Sequence, residues 1–138
     1  EIGRCLAAQR VDNSGNIMVC VYSCGQIGSV GSRFGKAKVV DIIDNLREYG
    51  IDPIVVDPEA DADEAKHEYG IDLVDIKDVQ DADCLVLAVA HDIFKQMSWD
   101  EIDNLYGDFE NNEKVLIDVK SILNKKEIEE KGFSYWRL

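Results

Sequence analysis

The stretch Asp81-Ala82-Asp83-Cys84-Leu85-Val86-Leu87-Ala88-Val89-Ala90-His91-Asp92 decides the fold. From Cys84 to Ala90 every position is apolar, without the alternation of a strand that faces water on one side. Such a run reads as a strand covered on both faces, the centre of a parallel sheet, with Cys84 a small core residue inside it. On its C-terminal side, Ser98-Trp99-Asp100-Glu101 has the spacing of a capping box and starts a helix that carries Ile102, Leu105 and Tyr106. Val115-Leu116-Ile117-Asp118 is a second buried strand. Residues 124–131 read as a helix stopped by Gly132, and residues 133–136 as a last edge strand. On the N-terminal side, Ile54-Val55-Val56 is a short buried strand ending at Asp57-Pro58. Residues 60–69 form a helix stopped by Gly70, followed by a short strand near 72–74. Val39, Ile42, Ile43, Leu46 and Tyr49 recur at helical spacing before Gly50, and residues 17–22 make the first strand.

Strands alternating with helices predict an α/β fold, a Rossmann-like three-layer sandwich on a mostly parallel sheet. In such sheets ligands sit beyond the carboxyl ends of the strands, where strand order reverses. Residues 17–138 form this domain.

Composition narrows the partners. The chain of 138 residues is long enough for one core without metal or disulfide staples. Its 28 acidic residues against 15 basic ones give a net charge of −13, which argues against nucleic acid and anionic membrane surfaces. No apolar run approaches the roughly 20 residues that span a bilayer, and no basic-then-apolar leader is present. A cytoplasmic protein with reduced thiols is expected, and the Cys20–Cys24 spacing matches no common zinc site. The first residue is Glu1, which leads us to expect a chain that begins inside a longer protein.

Candidate site residues cluster after the first strand. Gly25, Gly28 and Gly31 follow it and precede a helix, the context in which glycines let backbone amides approach a phosphate; a plain glycine-rich loop is the alternative. Arg33, Lys36 and Lys38 make the locally basic segment of an acidic chain, either a diphosphate clamp or solvated surface. Asp57 closes a strand where dinucleotide-binding folds place an acid on ribose hydroxyls, though an Asp-Pro turn or helix cap is the simpler reading. His91 follows the central strand and could face a ligand, or with Asp92 serve a turn. Asp118 and Lys120 share that strand edge and could bond each other or a ligand. His67 sits in an acidic helix and is expected to be exposed. No catalytic constellation stands out.

From about Lys36 onward the chain resembles the UDP-binding domain of the UDP-glucose/GDP-mannose dehydrogenase family. The resemblance is carried by Lys38-Val39-Val40-Asp41-Ile42-Ile43, Val55-Val56-Asp57-Pro58, the 81–92 stretch, Leu116-Ile117-Asp118-Val119-Lys120 and the ending Tyr135-Trp136-Arg137-Leu138. The Ala-His-Asp and Tyr-Trp-Arg-Leu pieces are similar to the branch acting on UDP-N-acetylhexosamines for capsule, Vi-antigen or O-antigen polysaccharides. The resemblance implies an NAD-dependent two-step oxidation of the sugar 6-hydroxyl to a carboxylate. An N-terminal domain would hold NAD, a middle section a nucleophilic cysteine, and the C-terminal domain would grip the UDP-sugar through Arg33, Lys36, Lys38, Asp57 and His91. None of the four cysteines stands in the family's glycine-flanked motif, so no catalytic residue is assigned and no cofactor is expected on this chain. Residues 1–16, through Leu6-Ala7-Ala8-Gln9-Arg10-Val11, resemble the end of the middle section that leads into a dimerising helix, which implies a homodimer. Residues 23–37 depart from the family, whose corresponding segment carries a Phe-Lys-Glu-Asn piece. Two other readings fit the same residues: an NAD-binding domain using Gly25, Gly28 and Gly31, and a non-enzymatic dimer scaffold.

Overall fold

The computed structural model describes residues 19–22, 36–58, 60–88 and 95–137. Five parallel strands form one sheet: β1 (Val19–Tyr22), β2 (Ile54–Val56), β3 (Cys84–Leu87), β4 (Val115–Asp118) and β5 (Ser134–Arg137), in the spatial order β2-β1-β3-β4-β5. The apolar run that decides the fold therefore lies at the centre, and all four residues of β3 are buried. Residues 89 and 90, the end of that expected strand, lie outside the described residues, as do residues 17 and 18 of the first.

Among the described residues the strands are connected by the helices α1 (Lys36–Glu48), α2 (Ala62–Tyr69), α3 (Trp99–Asp103) and α4 (Lys125–Lys131). Their side chains sort the core into two faces. Ile43 and Leu46 of α1 and Ala65 of α2 pack with Val55, Cys84, Val86, Val115 and Ile117. Ile102 of α3 and Ile128 of α4 pack with Val56, Leu85, Leu87 and Leu116. Alternate residues of one strand thus serve opposite layers, as the period of two requires, and a three-layer sandwich results. Right-handed crossovers explain why the helices change face once the chain turns from building outward past β2 to building outward past β3.

A bridge four residues beyond α2 completes the topology. Leu73 forms a single parallel bridge with Val55 on the outer side of β2, and the Val74 amide donates to the Val55 carbonyl at 2.9 Å. The strand expected near 72–74 is reduced to this one bridge because Asp72 and Asp75, both exposed, bracket it and leave no second apolar face to pair. Read with it, the sheet runs bridge-β2-β1-β3-β4-β5, the strand order of a dinucleotide-binding Rossmann domain.

Helix boundaries follow their caps. Asp61 caps α2 through the Glu64 amide at 2.9 Å, so the helix starts two residues after the expected position 60. Ser98 and Glu101 form the expected capping box, and these hydrogen bonds, from the Ser98 backbone first and its hydroxyl second, hold the Glu101 carboxyl below its ordinary pKa. α3 ends at Asp103, sooner than its apolar spacing suggests, because Tyr106 leaves the helix to bridge Ala82. Gly70 and Gly132 close α2 and α4 at φ of 64° and 82°, the left-handed conformation that costs a side chain most. Tyr49, placed on the buried stripe of α1 by its spacing, is 55% exposed, since the helix ends one residue before it.

Candidate functional site: the carboxyl edge of the sheet

Because every strand pair is parallel, the carboxyl ends share one edge. Val56, Tyr22, Leu87, Asp118 and Arg137 stand opposite one another in register along it. The chain leaves β1 toward β2 on one side and reaches β3 on the other, so strand order reverses between β1 and β3, the place where sheets of this kind bind ligands. The segments leaving those two tips, residues 23–35 and 89–94, hold Gly25, Gly28, Gly31, Arg33 and His91, which lie outside the described residues.

Lys36 and Lys38 fall in the first turn of α1, the helix that starts from the β1 tip. This turn contains no acid, whereas α2 opens with Asp63 and Glu64, α3 with Asp100 and Glu101, and α4 with Glu127. Among the described helices, then, only α1 presents an N-terminus whose partial positive charge is not already balanced by its own carboxylates.

Asp57 follows β2 and is 6% exposed. Its Oδ1 accepts the Ala60 amide at 3.2 Å, so the turn role foreseen for Asp57-Pro58 is real. The same residue lines a cavity of about 320 Å³ at the tip of β2. Residues 56–58 form one side, Ala60 and Ala62 at the start of α2 another, and residues 73–76 the third. This wall exists because the Leu73 bridge holds residues 73–76 beside β2; nothing in the local sequence announces it.

At the other end of the edge, Asp118 is fully buried. Its carboxylate accepts the amides of Ile122 and Leu123, each at 3.0 Å, and the Tyr135 hydroxyl at 3.1 Å. Arg137 Nε donates to that hydroxyl at 3.1 Å and Arg137 Nη2 to the Leu123 carbonyl at 3.1 Å. Burial pushes the Tyr135 hydroxyl above its ordinary pKa; the Arg137 hydrogen bond opposes the rise and the Asp118 charge adds to it. Asp118 thus anchors the loop after β4, in which Ser121 adopts a positive φ of 56° and Lys120 is exposed. His67 is exposed on α2. Among the described residues no three His, Cys, Asp or Glu side chains come together to hold a metal ion, and no helix is long and apolar enough to cross a membrane.

Residues 33–125 match the model of the UDP-glucose/GDP-mannose dehydrogenase family, UDP-binding domain. The chain belongs to this family. The match runs from Arg33 through α1, β2, β3 and β4; β1 and the three glycines precede it. Protein CapL of Staphylococcus aureus is 38% identical over 91 residues, 66% of this chain and 20% of that protein. The UDP-N-acetyl-D-glucosamine 6-dehydrogenases of Pseudomonas aeruginosa and Salmonella typhi are 42% and 32% identical, each over 88 residues. The chain spans about a fifth of the length of the curated relatives it matches. It carries the C-terminal UDP-binding domain of UDP-sugar dehydrogenases.

Proposed function

We propose that this domain grips the nucleotide of a UDP-sugar, a UDP-N-acetylhexosamine, at the carboxyl edge of its sheet. It would do so for an NAD-dependent oxidation of the sugar 6-hydroxyl to a carboxylate. The observation that carries the reading is the reversal of strand order beside the acid-free N-terminus of α1, a helix within the residues matched by the family model. A diphosphate at this point would meet the partial positive charge of the helix start, and Arg33, Lys36 and Lys38 supply the cations that offset its charge. In a chain of net charge −13, a local basic segment is what allows an anionic ligand to approach at all. Lys120, exposed on the loop that Asp118 anchors, adds a cation at the same edge, and His91 adds a donor beyond β3. The names of the Pseudomonas and Salmonella relatives support the N-acetylhexosamine and the oxidation. NAD binding, the chemical step and the cysteine belong to other parts of such an enzyme. The working protein is a cytoplasmic homodimer serving capsule or O-antigen polysaccharide synthesis.

Calorimetric titration with UDP and with UDP-N-acetylglucosamine tests the reading. We expect saturable binding that weakens when Lys36 and Lys38 are both changed to Gln. Absence of heat up to millimolar ligand overturns it, and saturable binding of NADH with indifference to UDP favours a dinucleotide site instead.

A further inference from the structure

The loop after β4 is held more tightly than its place in the fold requires. At its near end the Val119 amide donates to the Leu87 carbonyl, at the tip of β3, at 3.1 Å. At its far end Leu123 is gripped twice, its amide by the Asp118 carboxylate at 3.0 Å and its carbonyl by Arg137 Nη2 at 3.1 Å. Asp118 also takes the Ile122 amide. Between the two fixed ends stand Lys120 and Ser121, both exposed, with Ser121 at a positive φ of 56°. A non-glycine residue in the left-handed region is strained and persists where its surroundings over-determine it.

The far clamp is a relay. Arg137 Nε donates to the Tyr135 hydroxyl, which donates in turn to the buried Asp118 carboxylate that holds the two amides. Burial keeps the Tyr135 hydroxyl above its ordinary pKa, so the proton given to Asp118 stays in place at neutral pH. Cation, hydroxyl and anion follow one another, and each bond polarises the next. Yet Arg137 is exposed on an edge strand, where charged contacts add little to the stability of a fold. Nor does α4 need it, since that helix starts from its own cap, Asn124 on the Lys126 amide. What Arg137 does determine is the path of the loop. That loop carries Lys120 along the carboxyl edge, one residue beyond the bond to the tip of β3.

We infer that Tyr135 and Arg137 are positioning residues for ligand binding: with Asp118 they set the path of residues 120–121, and so the place from which Lys120 meets an anionic ligand. The inference rests on the reading of the carboxyl edge as the nucleotide-sugar site. It deepens that reading by giving two residues of the last strand a role exerted through Lys120.

Calorimetric titration of the full 138-residue chain with UDP-N-acetylglucosamine tests this by a double-mutant cycle. Arg137→Gln should bind about five- to tenfold more weakly than the unmodified chain, and Lys120→Gln at least as weakly. In the doubly changed chain, R137Q should add less than about twofold to the loss from K120Q, because a loop without its cation has nothing left to place. Arg137→Lys keeps the charge but not the forked donor, and should lose about as much as R137Q. Losses that simply multiply, or full affinity in R137Q or R137K, overturn the inference and leave the nucleotide reading standing. No binding by the unmodified chain overturns both. Should R137Q fail to fold by circular dichroism, Tyr135→Phe, which cuts the relay at its middle, takes its place in the cycle with the same outcomes.

Discussion

Asp118 and Tyr135 lie seventeen residues apart in sequence, and their contact arises because β4 and β5 pair in register, with Leu116 opposite Tyr135. A buried carboxylate with three donors is stable only while all of them remain, since each lost partner exposes the cost of desolvating the charge. Tyr135→Phe should lower stability at pH 7 by about 1.5 kcal/mol, read by urea unfolding. It should also change the alkaline limb. The folded state holds the Tyr135 hydroxyl above its ordinary pKa of 10.0, so the unfolded chain loses that proton first as pH rises. The contribution is intact below pH 10 and is lost as pH climbs toward the folded value. The unmodified chain should therefore lose stability more steeply than Y135F above pH 10; parallel curves would show that Tyr135 is not desolvated. The candidate site was only partly legible at this scale. Asp57, Lys36 and Lys38 could be singled out because they flank a strand or open a helix, which are local signals. Asp75, Tyr135 and Arg137 could not, because their roles depend on neighbours that sequence distance hides. Of the two readings of Asp118 and Lys120, bonding each other or a ligand, the structure shows Asp118 held by the backbone amides of Ile122 and Leu123 and by the Tyr135 hydroxyl, with Lys120 exposed.

At the scale of elements, α2 and α4 end where a glycine ends them. Asn124 caps α4 through the Lys126 amide at 3.1 Å, Ile128 alone of its residues is buried, and Gly132 closes it at a φ of 82°. With so little apolar surface, this short helix depends on both ends. Gly132→Ala should cost about 1 kcal/mol, because the position is open in space but forces a side chain into the left-handed region. A thermal midpoint unchanged in G132A would mean that α4 is held by its packing alone. At the other side of the same layer, Lys114 is buried beneath Tyr106 and Phe133, each ring centroid 5.8 Å from its Nζ, and pairs with Asp103 at 2.7 Å. Its hydrocarbon stem covers the N-terminal end of the sheet while the ammonium reaches a half-exposed acid, an arrangement of packing more than of charge. Element type was legible almost throughout, because periodicity of two and of 3.6 are properties of the chain itself. Element length was less so: α3 stops early because Tyr106 has a sheet partner, and the 72–74 strand shrinks to one bridge.

The molecule as a whole carries a net charge of −13, and most ion pairs among the described residues are exposed; Lys66–Asp72, with side chains 58% and 77% exposed, is representative. Exposed pairs contribute little, while the excess of like charge repels itself across the surface. Raising sodium chloride from 20 mM to 0.5 M should therefore raise the melting temperature by a few degrees as the Debye length shortens. A fall instead would show that local pairing outweighs the net repulsion. The sequence by itself determined that the run from Cys84 to Leu87 is central, that helices alternate with strands, and where glycines stop them, because an unbroken apolar run, a 3.6-residue period and a left-handed turn are each written within a few consecutive residues. Only the tertiary structure decided the rest. Strand order, the division of the core between α1–α2 and α3–α4, the cavity closed by residues 73–76 and the anchoring of Asp118 by Tyr135 all join residues distant in the chain, and such pairings are settled by which faces can be buried together, not by what stands next to what.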